Sequence, residues 1–242
     1  MEINSIIICT VDREPDYIHQ NLARLLFTLK DKKEIHIVVD GPSYRNYSIY
    51  KNFCKIYLNN KVDESLKDHP FKKAKYNYIR CLQLSYHLGG FNLILEDDVL
   101  LSSNWHEKIK EIEMPQDEEW ILSLNCIQGI ESSRGYEEFK SKRNSQGLLV
   151  TWCKPFGVIY KPSTLHFTAY SLENYKRDIP HDIIVGGILY ESGKKIYECV
   201  PTLIEHIGKF SSINKGMVWK TTKDNYGRFD HQCVHPCELY GN

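Results

Sequence analysis

The chain has 242 residues, 42% of them hydrophobic and 26% charged, with 31 basic residues against 31 acidic. This is the composition of a globular protein with a sizeable core, and zero formal charge excludes the overall basic bias of many nucleic-acid binders. The apolar run Ser5 to Thr10, only six residues long and preceded by an acid, is too short for a signal peptide or a membrane span.

Taken in chain order, Ile6 to Cys9 and Ile35 to Val39 are β-branched runs ending in polar turns, Thr10 to Arg13 and Asp40-Gly41-Pro42. A helical segment from about Asp16 to Lys30 lies between them. Strand, helix, strand in that order implies parallel strands covered by helices, an α/β fold. Phe53 to Leu58 is a weaker strand. Asp68 to Gly90 is expected to form a helix, with Asp68 as N-cap, Pro70 in the first turn and Gly89-Gly90 as the stop. Tyr78, Cys81, Leu82 and Ser85 form its buried stripe, while Lys73, Asn77 and Arg80 share another face.

Phe91 to Leu101 reads FNLILEDDVLL, three consecutive carboxylates between apolar runs. Strand alternation turns Glu96 and Asp98 to one side and Asp97 to the other. Two carboxylates facing one point at a strand end suit a hard divalent cation; a solvated acidic turn, or an N-cap for a helix over Ser102 to Ile112, is the other reading of the same residues. Further on, Trp120 to Leu124 and Leu148 to Cys153 are expected strands, and polar Glu131 to Gln146 a mobile loop. Gly157 marks a turn, His181 to Ser192 a helix, Lys195 to Cys199 a strand, and the remainder a weakly patterned tail. The eight cysteines are scattered. Cys9, Cys81, Cys126 and Cys153 sit in apolar segments, which points to a reducing, cytoplasmic compartment. In the tail, His231, Cys233, His235 and Cys237 alternate, at spacings unlike those of common zinc modules.

With these motifs in this order, the chain resembles the GT-A-fold glycosyltransferases from Ile6 to about Ser212. Glu96-Asp97-Asp98 is similar to that family's Asp-X-Asp motif in a Glu-Asp-Asp form, with an apolar run before it and the Ser102 to Trp105 helix start after it. The resemblance implies a Rossmann-like, mainly parallel sheet flanked by helices, one catalytic domain over residues 1–242 with 211–242 as a tail, a nucleotide-sugar donor, UDP-linked, and Mn²⁺ or Mg²⁺ as cofactor. Because the motif begins with Glu, Asp98 is taken as the direct metal ligand, with Glu96 behind it or on a metal-bound water and Asp97 beside them. His206, in a segment Pro201 to Gly208 that resembles the closing segment of the family, completes the metal site. Thr10, Val11 and Arg13 fall in the first donor-base loop and Asp40 in the second. Lys72, Lys73, Lys75 and Arg80 are candidates for the diphosphate and Asn77 for the base. Phe156-Gly157 resembles the glycine loop near the sugar, and Asp182, after His181 at a helix start, the acceptor-side base of an inverting reaction, with His181 as its substitute. The acceptor is a saccharide or another hydroxylated acceptor; 16 Tyr and 4 Trp suit sugar stacking, and a modified DNA base is disfavoured by the neutral charge. A nucleotidyltransferase would carry a glycine-rich basic loop after the first strand, and Thr10 to Pro15 has no glycine. A non-catalytic sugar-nucleotide-binding module is the rival of another class.

Overall fold

The structure is a computed structural model that describes residues 1–11, 17–29, 31–40, 47–59, 66, 69–126, 132–143, 149–150, 152, 156–207, 222–223 and 229–230. Arg13, Asp68, Gly208 and the tail residues His231, Cys233, His235 and Cys237 lie outside them.

The elements are β1 (Ser5–Thr10), α1 (Ile18–Thr28), β2 (Glu34–Val39), a 3₁₀ turn (Tyr47–Tyr50), β3 (Cys54–Leu58), α2 (Pro70–Leu88), β4 (Asn92–Glu96), β5 (Val99–Leu101), α3 (Trp105–Glu111) and β6 (Trp120–Ser123). They continue with β7 (Tyr136–Glu138), β8 (Lys142–Arg143), β9 (Leu149–Val150), β10 (Gly157–Tyr160), α4 (Pro162–Asn174), α5 (His181–Glu191), β11 (Lys195–Cys199), β12 (Ile204–His206), β13 (Thr222–Lys223) and β14 (Phe229–Asp230). Eight strands form one sheet in the order β3-β2-β1-β4-β10-β6-β11-β7. The pairs β3–β2, β2–β1, β1–β4 and β6–β11 are parallel; β10 runs against β4 and β6, and β7 against β11. This is the expected mixed, mainly parallel, Rossmann-like sheet.

Alternation along β1 shows how the sequence divides the core. Ile6 and Ile8 face α1 and α3, joining Leu22, Leu25, Leu93, Leu95 and Trp105. Ile7 faces α2, α4 and α5, joining Tyr78, Leu82, Ile94, Leu165 and Val185. Tyr78, Cys81, Leu82 and Ser85 of α2 are all buried, as their spacing requires. Gly89 and Gly90 end that helix with φ of 71° and 64°. A Cβ on Gly90 would lie 2.0 Å from Asn4 Nδ2, so glycine serves both the turn and the close approach.

Three expectations are corrected. The Gly157 segment is an interior strand, β10, rather than a turn, and α4 follows it unforeseen. Within the stretch read as a mobile loop, β7 pairs with β11, because Tyr136 turns inward against Tyr197 with ring centroids 4.9 Å apart. Asn77 does not share an exposed face with Arg80: it is fully buried, whereas Arg80 is exposed. No helix among the described residues is long and apolar enough to cross a membrane.

Candidate functional site

Strand order reverses between β1 and β4, the place in an open α/β sheet where a crevice forms beyond the strand ends. The three acids lie there. Their turn is held from three sides: Glu96 N–H donates to Phe156 O at 3.0 Å, Ile207 N–H donates to Asp98 O at 2.8 Å, and Asn21 Nδ2 on α1 donates to Glu96 O at 3.1 Å and Val99 O at 2.8 Å. Antiparallel pairing of β12 with β5 sets His206 opposite Val99, so its Nε2 comes 3.3 Å from Asp98 Oδ2. Phe156 stacks on the imidazole at 4.6 Å.

Glu96, Asp98 and His206 each present one ligand atom, and these atoms lie within 4.8 Å of one another. Two carboxylates so close, with Asp98 buried, repel one another and resist dehydration, and a shared cation offsets both costs. The set fits a divalent ion: carboxylate oxygen suits Mg²⁺ and Mn²⁺, and the imidazole weights it towards a transition metal. Glu96 thus lies close enough to share the ion either directly or through a bound water. Asp97 turns away, buried, and accepts the Thr10 hydroxyl at 2.7 Å.

On the β2 side, Asp40 N–H donates to Thr10 O at 3.2 Å, and its carboxylate meets Lys73 Nζ at 3.1 Å. Val11 continues from Thr10, partly buried. Asn77 Nδ2 donates to Thr10 O, Val38 O and Cys9 Sγ, tying the ends of β1 and β2, while its Oδ1 accepts from Asn59. Lys72 is half-buried in the first turn of α2, and Lys75 Nζ donates to Tyr175 O at 2.7 Å. Arg80 lies about 10 Å further along the helix axis than Lys73, away from the strand ends.

On the other side, α5 brings His181 Nε2 to 3.9 Å from Glu96 Oε1 and its ring against Tyr78, at 4.7 Å. Burial depresses the His181 imidazole to about 4. Asp182 is raised to about 6 by burial, against the opposing pull of the Ile183 and Asp182 backbone N–H groups. Gly186, one turn along α5, lets the Trp152 backbone lie against the helix, since a Cβ there would be 1.7 Å from Trp152 O. Gly157 is also a packing residue: a Cβ would come within 3.1 Å of Leu95 Cδ2.

Sequence reasoning overlooked Asn21. The only available signal was a polar residue at the helical position between Ile18 and Leu25, both buried. The second omission, Phe156 as a stacking partner of His206, had no signal beyond its place next to Gly157.

No family model matches the chain, and no curated protein matches it. Among solved structures, S. aureus TarS 1-349 aligns with a TM-score of 0.51 and 16% identity, over 84% of this chain and 59% of that one. The chain thus spans less than two thirds of that structure's length, and at this identity the likeness establishes the fold. Fold and site together define an α/β protein with a Rossmann-like sheet whose strand ends gather a carboxylate–imidazole cluster.

Proposed function

We propose that the protein is a metal-dependent glycosyltransferase of the GT-A type, moving a sugar from a UDP-linked donor to an acceptor hydroxyl with inversion. The carrying observation is the convergence of Glu96, Asp98 and His206 at the switch point of the sheet. Acids from the end of β4 meet an imidazole from a ribbon more than a hundred residues later. A Mn²⁺ or Mg²⁺ ion held there by Asp98, His206 and Glu96 would stabilise the charge that builds on a departing nucleoside diphosphate.

The remaining roles fall to the chain itself. Thr10, Val11 and Asp40 are assigned to the nucleoside side, with Lys73 steadying Asp40 and Lys72, in the first turn of α2, assigned to the diphosphate. Asn77 acts from beneath, by fixing the two strand ends between which a base would lie. Asp182, with its carboxyl at about 6, is largely ionised at neutral pH. It takes the acceptor proton as the hydroxyl oxygen bonds to the sugar's anomeric carbon and the bond to phosphate breaks. The acceptor is a saccharide or another hydroxylated molecule. Buried thiols at Cys54, Cys81 and Cys199 support a reducing, cytoplasmic compartment.

Calorimetry of UDP with and without Mn²⁺, followed by a screen of UDP-sugars for metal-dependent hydrolysis, tests this reading. UDP binding indifferent to metal would refute the metal site, and metal-dependent UDP binding with no turnover of any donor would leave a binding module.

A further inference from the structure

His181 opens the eleven-residue α5 with its ring on Tyr78 and its Nε2 3.9 Å from Glu96 Oε1, beyond hydrogen-bond length. The side chain is nine-tenths buried, yet neither ring nitrogen has a hydrogen-bond partner among the described residues. The nearby Tyr78 hydroxyl is engaged with that of Tyr160 at 2.8 Å. On the next residue, Asp182 Oδ1 is also enclosed with no hydrogen-bond partner among the described residues. Buried polar groups are almost always satisfied, and each that is not costs free energy comparable to a lost hydrogen bond. Two orphans side by side, at the strand ends and against an acid of the candidate metal cluster, mark a place that a ligand completes.

We propose that His181 is a carbohydrate-binding residue, its imidazole exchanging hydrogen bonds with hydroxyl groups of a sugar seated between Glu96 and Asp182. This rests on the glycosyltransferase reading and deepens it. A neutral imidazole offers one N–H donor and one bare nitrogen acceptor. Neighbouring sugar hydroxyls, each both donor and acceptor, satisfy the two nitrogens together. A phosphate oxygen accepts only, leaving one nitrogen orphaned and adding negative charge beside Glu96. The hydroxyls belong either to the transferred sugar or to the acceptor, and kinetics separates the two.

The full chain is tested as His181→Phe, which keeps a ring on Tyr78 without nitrogens, and as His181→Asn, which keeps a donor and an acceptor. UDP binding with Mn²⁺ reports the metal site and the fold. KM for donor hydrolysis reports the transferred sugar, and KM for the acceptor reports the other. The expected result is UDP·Mn²⁺ binding as in the wild type, with one of the two KM values raised about 10-fold in His181→Phe and partly restored in His181→Asn. A monodeoxy sugar lacking the contacted hydroxyl should lose as much with the wild type and nothing further with His181→Phe. Two unchanged KM values overturn the assignment, as does loss of UDP·Mn²⁺ binding in both variants. A wild type that hydrolyses no donor with Mn²⁺ sinks the glycosyltransferase reading and this inference with it, an outcome distinct from the other two.

Discussion

The Thr10 hydroxyl donates to Asp97 Oδ2 across 2.7 Å, joining the end of β1 to the turn after β4. Three consecutive acids are thereby divided: Asp97 fastens the turn, and Glu96 and Asp98 are left to face His206. Asp97→Asn still offers Thr10 an acceptor and is expected to hold Mn²⁺-dependent UDP binding near the wild-type value, whereas Asp98→Ala abolishes it. Thr10→Val removes a buried donor and should lower stability by ~1–3 kcal/mol with little effect on metal affinity. Calorimetry and thermal melts read both. Equal losses in Asp97→Asn and Asp98→Ala would show that the acids act as an undivided group.

His206 supplies the one nitrogen of the cluster, carried to Asp98 by the β5–β12 ribbon. Removing a residue that merely orients a ligand costs metal affinity roughly 10- to 100-fold, so removing a ligand should cost at least that. His206→Ala is expected to raise the Mn²⁺ concentration needed for donor binding by this factor while metal-free UDP binding stays as it was. A complex with UDP and Mn²⁺ in which the imidazole stands more than about 4 Å from the ion, beyond metal–nitrogen contact, would refute the assignment.

Gly186 has Trp152 O where a Cβ would stand, at 1.7 Å, and backbone cannot swing aside as a side-chain tip can. Gly186→Ala should therefore displace α5 from the Trp152 segment, costing ~1–3 kcal/mol as overpacking does. For a chain of this size that is about 2–4 °C in Tm per kcal/mol. Because Asp182 and His181 start the same helix, turnover should fall while UDP·Mn²⁺ binding, built on other elements, persists. Wild-type Tm and rate in this variant would show that the segment yields.

What the sequence made legible follows from strong local period. The β-branched runs of β1 and β2, the stripe Tyr78 to Ser85 and the glycine stop at Gly89 each carry their structure in adjacent residues. Helix α4 stayed hidden because its inward stripe includes Thr164, Thr168 and Ala169 beside Leu165 and Leu172, which dulls the apolar contrast. Strand β10 is four residues, all buried, and a run that short has no alternation to read. In the site, the division of the acids was visible from strand alternation. Asn21 was not: its meaning resides in carbonyls more than seventy residues away. Asn77 misled for the same reason, since a polar residue spaced with Lys73 and Arg80 reads as surface until the backbone groups it satisfies are known.

Asp182 yields a test in which activity and stability move in opposite directions. Burial holds its carboxyl at about 6 in the native state against 3.8 ordinarily, so the native chain keeps the proton more tightly than the unfolded chain does. By linkage, its contribution to stability is present at acid pH, declines as pH rises from about 4, and is lost by the time pH has passed about 6. The tighter hold on the proton in the native state is equivalent to about 3 kcal/mol. Asp182→Asn has nothing to ionise, so its stability relative to the wild type should be level at low pH and gain up to about 3 kcal/mol above pH ~6. His181 acts oppositely, since an imidazole held at about 4 rather than 6.5 adds stability as pH rises through that interval. The two effects flatten the wild-type curve, and only the difference between wild type and variant isolates Asp182. As general base, Asp182 must be ionised, so wild-type kcat should climb with pH through about 6 and then level off. The Asn variant should turn over 10²- to 10⁴-fold more slowly, with no inflection there and a donor KM near wild type. A residue that merely places charge in the first turn of α5 gives another pattern: Asn there forfeits only a modest helix-dipole contribution, and the rate would barely change. The product anomer, determined by NMR, is an independent check, because a retained linkage needs no acceptor-side base and would overturn the inverting assignment even with Asp182 essential.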